Sequence, residues 1–327
     1  MTESIRWGIL GTGGIADAFA TDLTANGFTI AAVGSRTQES ADEFAGRFGI
    51  PTAHASYEAL AADPGVDVIY VSTPHPFHAG NAKLALEGGK HVLVEKPFTI
   101  NATEAAAVVA LAEEKGLVVL EAMWTRWLPH MVRLRELIAE GLIGEVRTVI
   151  ADHNQFLPKD PKHRLNDPAL GGGALLDLGI YPVSFAWDIL GAPSSVHAIS
   201  SPTPTGVDRQ TAILLGYDNG AQAVLHTALD TAGPNTASVI GTEGWVRIDR
   251  VFYTPTTFTV FTSAGDEVES FEQEVSNRGM QYQAWEVERL IAAGQIAGDI
   301  LPPAETVSIM GTLDEVRRQI GLEYPGE

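Results

Sequence analysis

The chain has 327 residues, 45% of them hydrophobic, with 21 basic against 41 acidic side chains and a formal charge of −20. That length and apolar content suit two domains with a core each and exclude a disordered chain, while the charge opposes non-specific attachment to nucleic acid or to an anionic membrane. Cysteine is absent, which excludes disulfides, cysteine-bound zinc, iron–sulfur clusters and a thiol nucleophile. In chain order, strands are read at 5–10, 29–34, 66–72, 91–94 and 117–120, with helices over 15–26, 38–48, 77–87 and 102–115, the last capped by Asn101. Their alternation is that of βαβ units around a parallel sheet. Because the first strand starts so near the first residue, no charged leader is expected; nor is any stretch expected to be long and apolar enough to span a bilayer, and the location expected is cytoplasmic.

Beyond Glu121 the texture changes. A helix over 129–140 leads into a strand over 146–156, then a glycine cluster, a helix through Leu190 and β-rich segments from about Val196 to Phe271. Those segments, among them 211–217, 221–228, 238–241 and 257–262, alternate with turns such as Asp218-Asn219-Gly220 and read as an antiparallel sheet. Helices over 281–293 and 304–320 close the chain. The division expected is therefore 1–121 and 122–327, without internal repeat or low-complexity linker. Helices are read beside only some strands of the second sheet, so its apolar face is expected to make a homodimer.

The first strand ends in Gly11-Thr12-Gly13-Gly14-Ile15-Ala16. Gly11 suits a tight turn, Gly13 lets backbone N–H groups approach a pyrophosphate, and Ala16 lets the next helix pack closely on the strand. Thr12, Gly14 and Ile15 complete the turn, and the helix start faces the phosphates with its partial positive charge. An NAD site would place an acidic residue at the end of the second strand, but that strand ends Gly34-Ser35-Arg36, with no Asp or Glu from Leu23 to Gln38. A hydroxyl and a guanidinium there suit a 2′-phosphate, so NADP is expected, with NAD as the alternative. The competing account makes Ser35 a helix cap and Arg36 a solvated side chain.

The fourth strand runs into Ser72-Thr73-Pro74-His75-Pro76-Phe77-His78 and the fifth into Glu95-Lys96-Pro97. Ligands of an open α/β sheet lie beyond the carboxyl ends of its strands, so Ser72, Thr73, Pro74, His75, His78, Glu95 and Lys96 are candidate cofactor contacts. Lys96 has two accounts, a charge that assists deprotonation of a hydroxyl or one half of a salt bridge. Pro97 holds Lys96 extended and suits a cis bond. His75 and His78 flank Pro76 in a loop without a carboxylate to complete a triad, so no metal is expected. Further on, Gly171-Gly172-Gly173 precedes Asp177 and Tyr181, four apart on a helix that Pro182 should kink near Leu178. An acid and a phenol pointing together suit catalysis, and equally a buried structural pair.

Taken together, Gly11-Thr12-Gly13, Glu95-Lys96-Pro97, Glu121-Ala122-Met123-Trp124-Thr125-Arg126 and the segment from Gly171 to Tyr181 resemble the glucose-fructose oxidoreductase/inositol dehydrogenase (Gfo/Idh/MocA) family over nearly the whole chain. The likeness is to its branch of dimeric dihydrodiol dehydrogenases and NADP-dependent D-xylose 1-dehydrogenases; many members outside that branch carry His where this chain has Tyr181. The resemblance implies an α/β chain with an amino-terminal Rossmann domain and a carboxy-terminal α+β domain whose large, mostly antiparallel open sheet forms the dimer. It implies catalysis by Lys96 and Tyr181 with Asp177 assisting, and Trp124 and Phe156 are the aromatic side chains expected against substrate.

The expected activity is NADP-dependent oxidation of a sugar or cyclic diol hydroxyl, with Tyr181 removing the proton as hydride passes to the nicotinamide. A free phenol has a pKa near 10, which Lys96 is expected to lower electrostatically. Asp177 binds a second hydroxyl or orients Tyr181. Two other readings stay open: a glycoside hydrolase working by transient oxidation, distinguished by sugar release without net NADPH, and a non-catalytic NADP sensor, against which Lys96, Asp177 and Tyr181 argue.

Overall fold

The computed structural model describes residues 4–327. The chain forms two compact units, one holding the chain through Trp124 together with Ser276–Val307, the other Thr125–Val275 and Ser308–Glu327. In the first unit the elements run β1 (Arg6–Leu10), α1 (Gly14–Ala25), β2 (Thr29–Gly34), α2 (Gln38–Phe48), β3 (Thr52–His54), α3 (Tyr57–Ala61), β4 (Val68–Val71), α4 (His78–Glu87), β5 (His91–Glu95), α5 (Ala102–Lys115) and β6 (Val119–Ala122). The strands form a six-stranded parallel sheet in the order β3-β2-β1-β4-β5-β6. That order reverses between β1 and β4, and a crevice opens at the carboxyl ends of strands at such a reversal. Every residue of β4 is buried, as helices on both faces of a parallel sheet require. Phe19 of α1 stacks on Tyr70 of β4 with centroids 3.9 Å apart.

Local chemistry sets the helix ends. Asn101 accepts the Glu104 N–H at 2.9 Å to start α5, and Gly116 closes it in the left-handed conformation. The start of α2 is capped by Thr37, which accepts the Ser40 N–H, so the Ser35 hydroxyl is not the cap.

The second unit holds α6 (Pro129–Ala139), β7 (Val146–Asn154), α7 (Ile180–Leu190), β8 (Ser195–Pro202), β9 (Asp208–Gly216), β10 (Gln222–Ala228), β11 (Ala237–Gly241), β12 (Gly244–Ile248), β13 (Phe258–Thr262) and β14 (Glu267–Phe271). Its eight strands are ordered β14-β13-β12-β11-β7-β10-β9-β8, antiparallel throughout except for the parallel pair β7 and β10. The helix α7 packs on β7 and β10. Along β7, β9 and β10 the buried residues alternate with exposed Ile150, Leu214 and Val224. Val224 is opposite both Leu214 and Ile150 in register, so the three share the outer face.

Two expectations change. The helices α8 (Gln281–Ala293) and α9 (Pro303–Ile320) close the chain as read, but residues 276–307 belong to the first unit rather than to the second. The reason is tertiary: the buried Asp22 carboxylate of α1 accepts the Arg278 and Met280 N–H groups, and Glu288 of α8 accepts the Trp7 indole N–H at 2.9 Å. Residues Pro168–Leu190 also reach the length and mean hydropathy, 1.3, of a membrane span, contrary to expectation, yet 89% of that window is buried inside the protein. It is a core segment whose apolar character serves packing.

Candidate functional site

In the first unit the residues read as a dinucleotide cradle gather at the carboxyl ends of β1, β2, β4 and β5. Gly11 has φ +107°, and a side chain on it would meet the Ser72 hydroxyl at 2.9 Å. Its N–H donates to the Gly34 carbonyl at 2.9 Å, tying the loop to β2. Gly13 caps α1 without a side-chain bond, and nothing lies within 4 Å of where a Cβ on Gly13 or Gly14 would stand. The first-turn N–H groups of a helix lack intrahelical partners and favour an anion, and the open space beside Gly13 and Gly14 leaves room for a diphosphate. The carboxylate of Asp17 in that turn, which would repel a phosphate, is paired with Arg47 at 2.7 Å. Thr12 and Ser35 approach hydroxyl to hydroxyl at 3.4 Å, and Arg36 beside them is exposed. These residues fit a nicotinamide dinucleotide.

The loops after β4 and β5 are locked together. Ser72 donates its N–H and its hydroxyl to the Leu10 carbonyl, and Asn81 donates to the Thr73 hydroxyl at 3.0 Å. After Pro74, His75 opens a 3-10 turn. His78, 1% exposed, has Nδ1 2.8 Å from the Pro97 carbonyl and Nε2 2.6 Å from the Thr73 carbonyl. Burial pushes its pKa down to about 3, helped by His75 and Lys96 and opposed by the two carbonyls. The ring is thus neutral at physiological pH and donates from one nitrogen at a time. Both nitrogens face backbone oxygens, and no group of three or more metal-binding side chains occurs among the described residues. Lys96–Pro97 is cis. The buried Glu95 accepts the Tyr70 hydroxyl at 2.5 Å and the Lys96 N–H at 3.2 Å.

In the second unit, Asp177 and Tyr181 lie on successive helical segments, of a different helix type from the one read. Leu175–Gly179 is a π-helical turn that passes into α7, a form common at functional positions. Pro182 has no N–H for the Leu178 carbonyl, which faces His153 Nδ1 at 3.2 Å instead. Gln155 donates its amide N–H to His153 Nε2 at 2.8 Å, which fixes the neutral ring with its proton on Nδ1. His153 stacks on Tyr253 at 3.7 Å, and Tyr181 lies 5.1 Å from each of the two rings. Burial above all pushes Tyr253 up to about 12, with Tyr181 and Asp152 adding and Gln155 and Arg250 opposing. Arg164 donates to Asp177 at 3.1 Å. Of the two aromatic residues expected against substrate, Trp124 is buried and Phe156 is 70% exposed, with Lys159 over its ring at 5.2 Å. Arg126, from the Glu121 to Arg126 motif, braces α7: it donates to Asp188 at 2.9 Å and to the hydroxyl and carbonyl of Ser184.

The glycine cluster is held from below. Asp208, 3% exposed, accepts the Leu175 N–H at 2.8 Å and the Thr211 hydroxyl at 2.9 Å, and Tyr324 donates to the Gly172 carbonyl at 2.7 Å. Burial pushes Asp208 up to about 6 against the lowering by Thr211 and the N–H groups of Leu175, Asp208 and Ala174. A raised carboxyl pKa means the folded state binds the proton more tightly, so this contribution to stability is fully present below the ordinary 3.8 and lost as pH rises through about 6. Denaturant unfolding at pH 5 and pH 8 should therefore show the wild type gaining on Asp208→Asn at the lower pH; equal differences at both would contradict it.

His153, Gln155, Tyr253, Arg164 and Asp208 were not among the residues singled out from sequence. They carry no motif, and only Asp208 and His153 give a signal, as polar residues at inward positions of strands.

Comparison with known proteins gives a family for both parts of the chain. Residues 5–123 match the family model described as oxidoreductase family, NAD-binding Rossmann fold, and residues 131–247 match the GFO/IDH/MocA C-terminal domain. The chain is 36% identical over 335 residues to a trans-1,2-dihydrobenzene-1,2-diol dehydrogenase of Mus musculus, covering 98% of each. It is 34% identical over 368 residues to a D-xylose 1-dehydrogenase (NADP(+)) of Hypocrea jecorina, covering 98% of this chain and 93% of that enzyme. Among solved structures it resembles KijD10, a 3-ketoreductase from Actinomadura kijaniata in complex with NADP and TDP-benzene, with a TM-score of 0.85 and 27% identity over 97% of this chain and 98% of that one.

Proposed function

The chain belongs to the GFO/IDH/MocA family of oxidoreductases with an NAD-binding Rossmann fold, and from that premise we propose that it oxidises a hydroxyl of a sugar or cyclic diol with NADP. The packing of Tyr181, at the start of α7, against His153 and Tyr253, with Asp177 on the π-helical turn just before it, is the observation that carries this reading. The relatives named as dihydrodiol and xylose dehydrogenases act on such hydroxyls, and one is named for NADP.

When bound, the dinucleotide would supply the hydride acceptor for the carbon that bears the hydroxyl. Gly13 and the start of α1 would hold its phosphates, and Ser35 and Arg36 would receive the 2′-phosphate. Tyr181 takes the hydroxyl proton, Lys96 stabilises negative charge on the reacting oxygen, and Asp177 binds a neighbouring hydroxyl. A panel of aldoses, cyclitols and dihydrodiols, followed at 340 nm with NADP and with NAD, tests the reading: at least one class should reduce NADP, and none doing so would overturn it. Arg36→Ala should raise the KM for NADP at least about tenfold while leaving that for NAD nearly unchanged; equal effects would refute the 2′-phosphate contact.

The same reading includes a homodimer through the open sheet. Ile150, Leu214 and Val224 share its outer face, and Ile199 of the neighbouring β8 is 76% exposed, the kind of contiguous apolar surface that another molecule covers. Sedimentation at micromolar concentration should show a dimer that Ile199→Lys weakens; a wild-type monomer would contradict it.

A further inference from the structure

We propose that Glu121 is a positioning residue for Lys96, completing a three-point brace on the backbone around Lys96-Pro97-Phe98. The inference rests on the proposed role of Lys96. Three successive backbone groups are each held by a buried side chain: the Lys96 N–H donates to Glu95 at 3.2 Å, His78 Nδ1 lies 2.8 Å from the Pro97 carbonyl, and the Phe98 N–H donates to Glu121 at 3.2 Å. Pro97 has no N–H to hold. Glu121 is opposite Val94 in register and Glu95 is opposite Ala122, so the two carboxylates leave the sheet from opposite faces and reach the segment from both sides.

Glu121 is itself held. Its second oxygen accepts the Thr306 hydroxyl at 3.3 Å, so α9, far along the chain, orients the brace. Glu95 and Glu121 are 4% and 2% exposed. Burying a carboxylate is costly unless it is hydrogen-bonded, and an apolar side chain would fill either position at less cost. A backbone set within a few tenths of an ångström is what placement of a functional lysine requires.

The test compares Glu121→Leu, Glu121→Gln and Thr306→Val, each alone and combined with Lys96→Met. Glu121→Leu leaves the Phe98 N–H without its acceptor and should lower kcat/KM about tenfold, whereas Glu121→Gln keeps an acceptor oxygen and should restore most of it. Thr306→Val, which replaces one hydroxyl by a methyl group, should give a smaller loss and serves if Glu121→Leu does not fold. In the Lys96→Met background each substitution should cost nothing further, because its effect runs through Lys96. A readout independent of turnover is the rate at which acetic anhydride labels Lys96 in the cofactor-free protein, followed by peptide mass spectrometry. That rate should change in Glu121→Leu and Thr306→Val while other lysines label as before. Losses of equal size with and without Lys96, or unchanged labelling of Lys96 in Thr306→Val and in any folded Glu121→Leu, would overturn the proposal. Full activity in Lys96→Met would instead overturn the role of Lys96, and the labelling rates would still decide whether Glu121 positions it.

Discussion

Tyr181→Phe is expected to lower kcat by about 10²-fold or more while leaving the affinity for NADP within about twofold. The substitution removes one oxygen and keeps the ring that packs 5.1 Å from both His153 and Tyr253. The fold should therefore hold, with an unchanged melting temperature. Cofactor affinity should hold too, because the residues that fit the dinucleotide lie in the other unit, at the carboxyl ends of β1, β2, β4 and β5. A fall in kcat without a fall in affinity is the mark of an interaction used in the chemical step alone. Stopped-flow turnover and a fluorescence titration with NADP would together decide it, and a variant with wild-type kcat would remove Tyr181 from the reaction.

A second pair of substitutions separates folding from binding with the same added methyl group. Gly173 has φ +119°, and a Cβ there would stand 2.1 Å from a carboxylate oxygen of the buried Asp208. Both the backbone and the space forbid a side chain, so Gly173→Ala should cost about 3 kcal/mol or more of stability. Gly13 has φ −83°, and a Cβ there meets nothing within 4 Å. Gly13→Ala should fold with wild-type stability yet bind NADP at least about tenfold more weakly, since its methyl group fills space meant for a phosphate. Urea unfolding and NADP titration on both proteins make the test. Normal stability of Gly173→Ala would contradict the packing account of the glycine cluster, and normal binding by Gly13→Ala would contradict the cradle.

What the sequence revealed of the fold, and what it hid, follows from the range of the forces. The parallel strands were legible because a strand covered on both faces is a continuous apolar run, as in the wholly buried β4. The ends of α5 were legible because Asn101 and Gly116 act on their own neighbours. β3 and α3, at three and five residues, are too short to show a period and went unread. The return of α8 to the first unit was hidden because Asp22 and Trp7 find their partners more than 250 residues away. The site divides in the same way. Its glycines, Lys96 and Tyr181 stand in motifs, whereas His153, Arg164 and Glu121 matter only through partners that the fold supplies. Pro182 was read as a kink; its lasting effect is to release the Leu178 carbonyl to His153.

The dependence of kcat on pH, measured for the wild type and for Tyr181→Phe with the same substrate and saturating NADP, tests the proton-transfer role most directly. The wild type should gain rate as pH rises through a single ionisation, and that rise should vanish in the variant, leaving a low and flat profile. A variant that kept the same rise at the same pH would show that another group carries the proton.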